Sequence, residues 1–127
     1  MQKRQVFLIF LLLCPLLAAQ GCVVAAVGAG AGTVAYVKGD LEVVESEELD
    51  AVYKATEKVV SELGLAVSKK TKDAMSAEII ALDSQDKKIK IKLSATAEGT
   101  TKLSIRAGLF GNETKSMLIY DQIRKNL

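Results

Sequence analysis

A chain of 127 residues carrying 17 basic and 15 acidic side chains, two Cys and no His or Trp is long enough for one small domain and poorly equipped for catalysis. Without imidazole there can be no Ser-His, Cys-His or His-metal site, and both thiols, Cys14 and Cys22, lie near the N-terminus. The formal charge of +2 includes Lys3 and Arg4; set these aside and fifteen basic residues face fifteen acidic ones, which argues against nucleic acid as a partner.

The chain opens as an export leader. Met1 to Gln5 is short and basic, and Val6 to Ala19 is apolar but shorter than the ~20 residues that span a bilayer. Ala18-Ala19-Gln20-Gly21-Cys22 follows, in the form of a bacterial lipoprotein cleavage site: small residues ahead of an obligatory Cys whose thiol bears diacylglycerol. Residues 1–21 are therefore expected to be a lipoprotein signal peptide, with Cys22 the acylated first residue of the mature chain. Cys14 is no rival, because large leucines precede it. Ala19, where Leu is more usual, and Gln20 make the site acceptable rather than ideal. Several acyl chains anchor a protein stably, so the membrane is the first expected partner. Val23 follows the Cys where Asp would favour inner-membrane retention; it points to the outer membrane, with the domain facing the periplasm.

Val23 to Val37 reads VVAAVGAGAGTVAYV. Gly28, Gly30 and Gly32 form G-x-G-x-G, not the G-x-G-x-x-G of a dinucleotide loop, and no amphipathic helix follows. Residues 22–33 are read instead as the lipidated Cys and a Gly/Ala-rich tether, and residues 34–127 as the folded domain. No cofactor is expected.

Val34 to Val44 is a strand candidate with a turn or bulge at Gly39-Asp40. Ser46 is the expected N-cap of a helix in which Leu49, Val52, Tyr53, Thr56, Val59, Val60 and Leu63 recur at helical spacing, and Gly64 stops it. Leu65 to Lys70 reads as a strand with Leu65 and Val67 facing inward. A bend at Thr71 to Ala74 leads into Met75 to Leu82, and Asp83 to Lys87 is a polar turn. Lys88 to Ala95 alternates strictly, with Ile89, Ile91, Leu93 and Ala95 on one face and Lys88, Lys90, Lys92 and Ser94 on the other. Glu98-Gly99-Thr100 signals a hairpin into Thr101 to Ala107. Gly108 to Asn112 is a loop, and Asn112 caps a last helix from Glu113 to Lys125 with Met117, Ile119, Tyr120, Ile123 and Leu127 on its apolar stripe. The predicted order is β-α-β-β-β-α, with one more strand if the Thr71–Ala74 bend divides the second. This is an α+β fold with an antiparallel sheet of four or five strands and two helices on one face.

Few residues invite chemistry. Lys88, Lys90 and Lys92 could meet phosphate or lipid head groups; equally, they could be a solvated strand or an edge guarded by lysine. The acidic stretch Asp40, Glu42, Glu45, Glu47, Glu48 and Asp50 lacks the ligand spacing and turn glycine of a calcium loop. Asn112-Glu113-Thr114 is read as a helix start rather than a glycosylation acceptor. Leu109 and Phe110 either form an exposed contact loop or close one end of the core.

Gly21-Cys22 with the Val/Ala/Gly tether, Tyr36-Val37-Lys38-Gly39-Asp40-Leu41, Glu62-Leu63-Gly64-Leu65 and Thr71 to Ile79 form a set of segments that carries a resemblance. Ile89-Lys90-Ile91-Lys92-Leu93, Phe110-Gly111-Asn112 and the ending Ile123 to Leu127 complete it. In these the chain resembles an uncharacterised family of small bacterial lipoproteins, defined as a domain of unknown function. The resemblance implies anchoring and fold and carries no activity. The topology also looks like the helix-grip domains of outer-membrane assembly lipoproteins, a likeness of fold alone. The expected function is a non-enzymatic, membrane-anchored envelope module that binds an envelope partner or supports the envelope. The alternative is a module that binds anionic lipid head groups through the lysine face.

Overall fold

The computed structural model describes residues 34–127, so the signal peptide, Cys22 and the tether all lie outside the described residues. The first apolar run is two strands rather than one: β1 (Val34–Val37) and β2 (Asp40–Glu45) pair antiparallel. The two residues between them, Lys38 (φ 51°) and Gly39 (φ 90°), both have left-handed backbones. That is the two-residue reversal whose twist matches a hairpin.

Helix α1 (Leu49–Glu62) starts two residues later than Ser46 allows. Glu48 occupies the N-cap, and no side chain caps the helix. Its carbonyl accepts the first helical N–H groups, from Ala51 and Val52. At the other end the Leu65 N–H donates to the Val60 carbonyl and the Gly64 N–H to that of Ser61. With Gly64 at φ 65° this closes the helix in a Schellman turn and lays Leu65 against the core.

The bend after α1 is a complete reversal. Asp73 Oδ1 accepts the N–H groups of Met75 and Ser76, both at 2.8 Å, and the Asp73 N–H donates back to the Ser76 carbonyl. The chain is thereby split into β3 (Ala66–Lys72) and β4 (Ser76–Leu82), and Thr71 and Lys72 belong to a strand. β5 (Lys88–Ala95) and β6 (Thr101–Ala107) follow as the alternation predicts. Helix α2 (Glu113–Lys125) is capped by Asn112, whose Oδ1 accepts the Lys115 N–H at 2.9 Å. Six strands thus replace the expected four or five, because both interruptions turn the chain fully around.

The sheet is antiparallel throughout, in the order β1-β2-β6-β5-β4-β3. Its buried face is built in rungs. Leu41, Ile105, Ile91 and Ile79 stand directly opposite one another across four strands, and none is more than 1% exposed. Val52, Val59 and Val60 of α1 and Ile119, Tyr120 and Ile123 of α2 close over the same core, so both helices cover one face, as expected.

The core ends sooner than the sequence suggests at two places. Val67 faces inward, opposite the core residue Ala81, yet is half exposed, and past an irregularity between Val67 and Lys69 the residues of β3 opposite core positions Ile79 and Ala77 are Lys70 and Lys72. Their ammonium groups reach Glu57 and Asp50 of α1, each at 2.7 Å, and Lys72 lies 5.6 Å from the centre of the Tyr53 ring. The edge strand is thus fastened by charge and guarded by it. Leu127 lies beyond the C-cap Asn126 and is largely exposed, while Ser116 is buried on the inner side of α2.

Replacing Ile91 with Ala removes the middle of the four-residue rung and should cost about 2–5 kcal/mol. Ser46→Ala, at a position that caps nothing, should change stability by less than about 0.5 kcal/mol. Urea denaturation of the two variants beside the parent measures both.

Candidate functional site: the open sheet face

Strand alternation gives the sheet a second face, and among the described residues no helix covers it. On it, Lys90 stands opposite Arg106, Lys92 opposite Ser104 and Ser94 opposite Lys102 across β5 and β6; Lys92 also faces Glu78 across β4. Glu42 and Asp40 continue the row on β2. These side chains line a broad open concavity of about 1210 Å³, closed at one end by the β4–β5 turn and by the loop between β6 and α2.

The structure brings Lys88, Lys90 and Lys92 together in single file, ~7 Å apart on alternate residues of one strand. β5 is an interior strand, so the lysines are not there to guard an edge. They are also left without counter-charges. Glu42 is paired with Lys102 at 3.2 Å, Glu78 with Lys69 at 3.2 Å and Asp40 with Arg106 at 2.6 Å. Among the described residues, no carboxylate pairs with Lys88, Lys90, Lys92 or the neighbouring Lys87. Of the carboxylates lining the concavity, Asp86 alone has no cationic partner; Asp83 is held by Lys115. Four unpaired lysines against one unpaired carboxylate make this hollow a positive site on a nearly neutral domain.

The rim is rigidly built. Arg106 donates Nε–H to Asp40 Oδ1 at 2.6 Å, Nη2–H to the Lys38 carbonyl at 2.8 Å and Nη1–H to the Leu109 carbonyl at 3.3 Å. One guanidinium therefore ties the β1–β2 turn to the β6–α2 loop, and the adjacent Asp40 carboxylate raises its already high pKa. Gly39 and Gly111 meet where the two segments touch. A Cβ on Gly111 would fall 2.3 Å from the Gly39 carbonyl oxygen, and one on Gly39 would fall 2.7 Å from that of Phe110. The Gly108 N–H donates to the Lys88 carbonyl at 2.7 Å, joining the same loop to β5.

Asp83 fastens the other side of the rim. Its Oδ1 accepts the N–H groups of Gln85 and Lys87, and its Oδ2 pairs with the Lys115 ammonium of α2. The Lys115 contact, then the backbone donors, pull its carboxyl down to about 2. Held in this way, the loop carries Leu109 and Phe110 outward, 81% and 87% exposed. Of the two sequence readings for this pair, the structure supports the exposed one.

The acidic stretch does not form a common site. Asp40 and Glu42 lie on the open face, Asp50 reaches Lys72 on the far side, and Glu45 points into the core beside Tyr120. Burial first, then the Glu45 carboxylate, push the Tyr120 hydroxyl above its ordinary value. Sequence reasoning missed Arg106 and the Asp83–Lys115 tie. Each depends on a long-range neighbour, β2 beside β6 and α2 beside the β4–β5 turn, that local periodicity does not reveal.

A six-stranded antiparallel sheet with helices on one face and a positive hollow on the other defines a small α+β domain with an open sheet surface. Residues 5–126 match the family described as "Protein of unknown function (DUF3568)", and the chain belongs to that family. Comparison with curated proteins returns no match.

Two substitutions test the rim. Gly111→Ala, strained at φ 83° and against backbone, should destabilise by about 1–3 kcal/mol. Asp83→Asn should be less stable than the parent at neutral pH. Because the folded carboxyl titrates near 2 and an unfolded one near 3.9, the difference should shrink as pH falls from about 4 to about 2. Denaturation midpoints taken across that range check the sign.

Proposed function

We propose that this chain is a bacterial envelope lipoprotein, anchored through acylated Cys22 in the outer membrane and facing the periplasm, whose domain is a non-enzymatic binding or structural module. The observation that carries this reading is Gly21-Cys22 at the end of a basic and then apolar leader of fitting length, with a Gly/Ala tether between Cys22 and the first strand. Composition supports a binding role over catalysis: the chain has no His, and acylation of Cys22 together with removal of Cys14 leaves no free thiol. The likeness to helix-grip domains belongs to the same reading, as analogy of fold.

A second reading concerns what the domain binds. The file of Lys88, Lys90 and Lys92, unpaired on an interior strand, favours anionic head groups as the partner of the open face.

Mass spectrometry of the protein purified from membranes tests the anchor. The expected N-terminal peptide begins at Cys22 and carries the added mass of diacylglycerol, with or without a third acyl chain. Cys22→Ser should leave the protein unacylated and, lacking the obligatory Cys, uncleaved, with the leader still attached. An unmodified Cys22, or a mature chain starting before it, would overturn the reading.

A further inference from the structure

We infer that the lysine file and the Leu109–Phe110 loop form one surface that docks on an anionic bilayer, the lysines against head groups and the two apolar side chains in the acyl boundary. This rests on the second reading above and adds to it an orientation and an insertion element.

Three observations converge. First, the charges are unsatisfied: among the described residues Lys87, Lys88, Lys90 and Lys92 have no carboxylate partner, and they line the same concavity as Leu109 and Phe110. Second, the exposure of the apolar pair is held in place. The residues on either side are pinned by the Gly108–Lys88 hydrogen bond, the contact of Gly111 with Gly39 and the Asn112 cap, while Arg106 holds the Leu109 carbonyl. A loop so fastened cannot fold the two side chains back under the sheet, so they meet water unless something covers them. An aromatic and a leucine beside cations suit the interfacial layer of a membrane, where apolar burial and anionic attraction act together.

Third, the chain reaches. The domain begins at Val34 at the end of β1 remote from this loop, since β1 runs from Val34 toward the Lys38-Gly39 turn that touches Phe110. Val34 is twelve residues on from Cys22, a stretch of chain that can span up to ~40 Å. The eight residues of β5 measure only ~26 Å, so a domain anchored at Cys22 can lay its far end on the same bilayer.

The test uses the mature chain from Cys22 with Cys22→Ser, so that binding does not depend on acylation and its outcome is separate from that of the mass spectrometry. Cosedimentation with vesicles of phosphatidylglycerol and phosphatidylcholine should show binding that falls with salt, and vesicles of phosphatidylcholine alone should show little. Replacing Lys88, Lys90 and Lys92 together with Gln should weaken binding on the order of a hundredfold. Leu109→Ser with Phe110→Ser, at exposed positions that leave the fold intact by circular dichroism, should weaken it about tenfold. A brominated-lipid probe should quench the indole of Phe110→Trp and not that of Met75→Trp, at a residue exposed at the opposite end of the sheet. Failure of the parent to bind anionic vesicles overturns the inference. So does binding that the Leu109/Phe110 variant leaves unchanged, which takes the apolar pair out of the contact, or that inorganic phosphate at matching phosphate concentration abolishes, which makes the hollow a site for a small anion. A concentration-dependent dimer in sedimentation, lost in Phe110→Ser, would assign the surface to a second copy of the chain and also overturn it.

Discussion

The register between β5 and its two neighbours decides nearly everything else in this domain. Ile89, Ile91 and Leu93 face the helices only because Ile91 stands opposite both Ile79 and Ile105. A slip of one residue would send Lys88, Lys90 and Lys92 into the core and three large aliphatic side chains into water. Burying even one unpaired ammonium is costly, and three would exceed the net stability of a domain this size. Core and open face are therefore set by a single choice. The lysines that make one face a positive hollow also forbid the alternative pairing, and they do so from an interior strand, where no edge needs protecting.

With that register fixed, the last strand must find a place beside the first hairpin. β6 pairs with β5 through Leu103 and Ile105 and offers its other side to β2, where Leu41 and Val43 complete the buried rungs. The junction brings Asp40 and Arg106 side by side on the open face. Arg106 then does more than neutralise a carboxylate. Its two remaining donor groups reach carbonyls of the turn and the loop that the β2–β6 pairing has brought together. A lysine in its place could supply charge but not this fork of donors. The close meeting of Gly39 and Gly111 follows from the same approach of backbone to backbone. Two glycines separated by more than seventy residues of chain are thus explained by one contact.

Local patterns carried most of the fold and little of the site. The strict alternation of Lys88 to Ala95, the helical spacing from Leu49 to Val60, the stop at Gly64 and the cap at Asn112 are properties of a few adjacent residues, and each is found as the sequence indicates. Ser46 misled because the helix starts without a side-chain cap, at Glu48, whose carbonyl accepts the first N–H groups. Val67 faces inward as its place in the pattern indicates but stays half exposed, because an edge strand has a neighbour on one side only. Beyond β4 there is too little helix to cover another apolar row, so Lys70 and Lys72 take the inward places and bind α1 by charge. Lys88, Lys90 and Lys92 could be placed on one face from sequence. That they lack partners could not, because it depends on Glu42, Glu78 and Asp40 being engaged by Lys102, Lys69 and Arg106 from other strands.

That division of partners gives the near-neutral composition a different meaning. An equal number of acids and bases spread evenly would leave no field beyond a Debye length of ~8 Å. Here the acids are spent where they hold structure: Asp83 on a turn and on α2, Asp50 and Glu57 on the edge strand, Asp40 on the guanidinium of the rim. On the open face, the engagement of Asp40, Glu42 and Glu78 by Arg106, Lys102 and Lys69 leaves the lysines of β5 without a counter-charge. The unpaired lysines then act at short range, on whatever lies against the hollow they line. Net charge consequently says almost nothing about this domain's electrostatics, and the pattern of pairing says most of it.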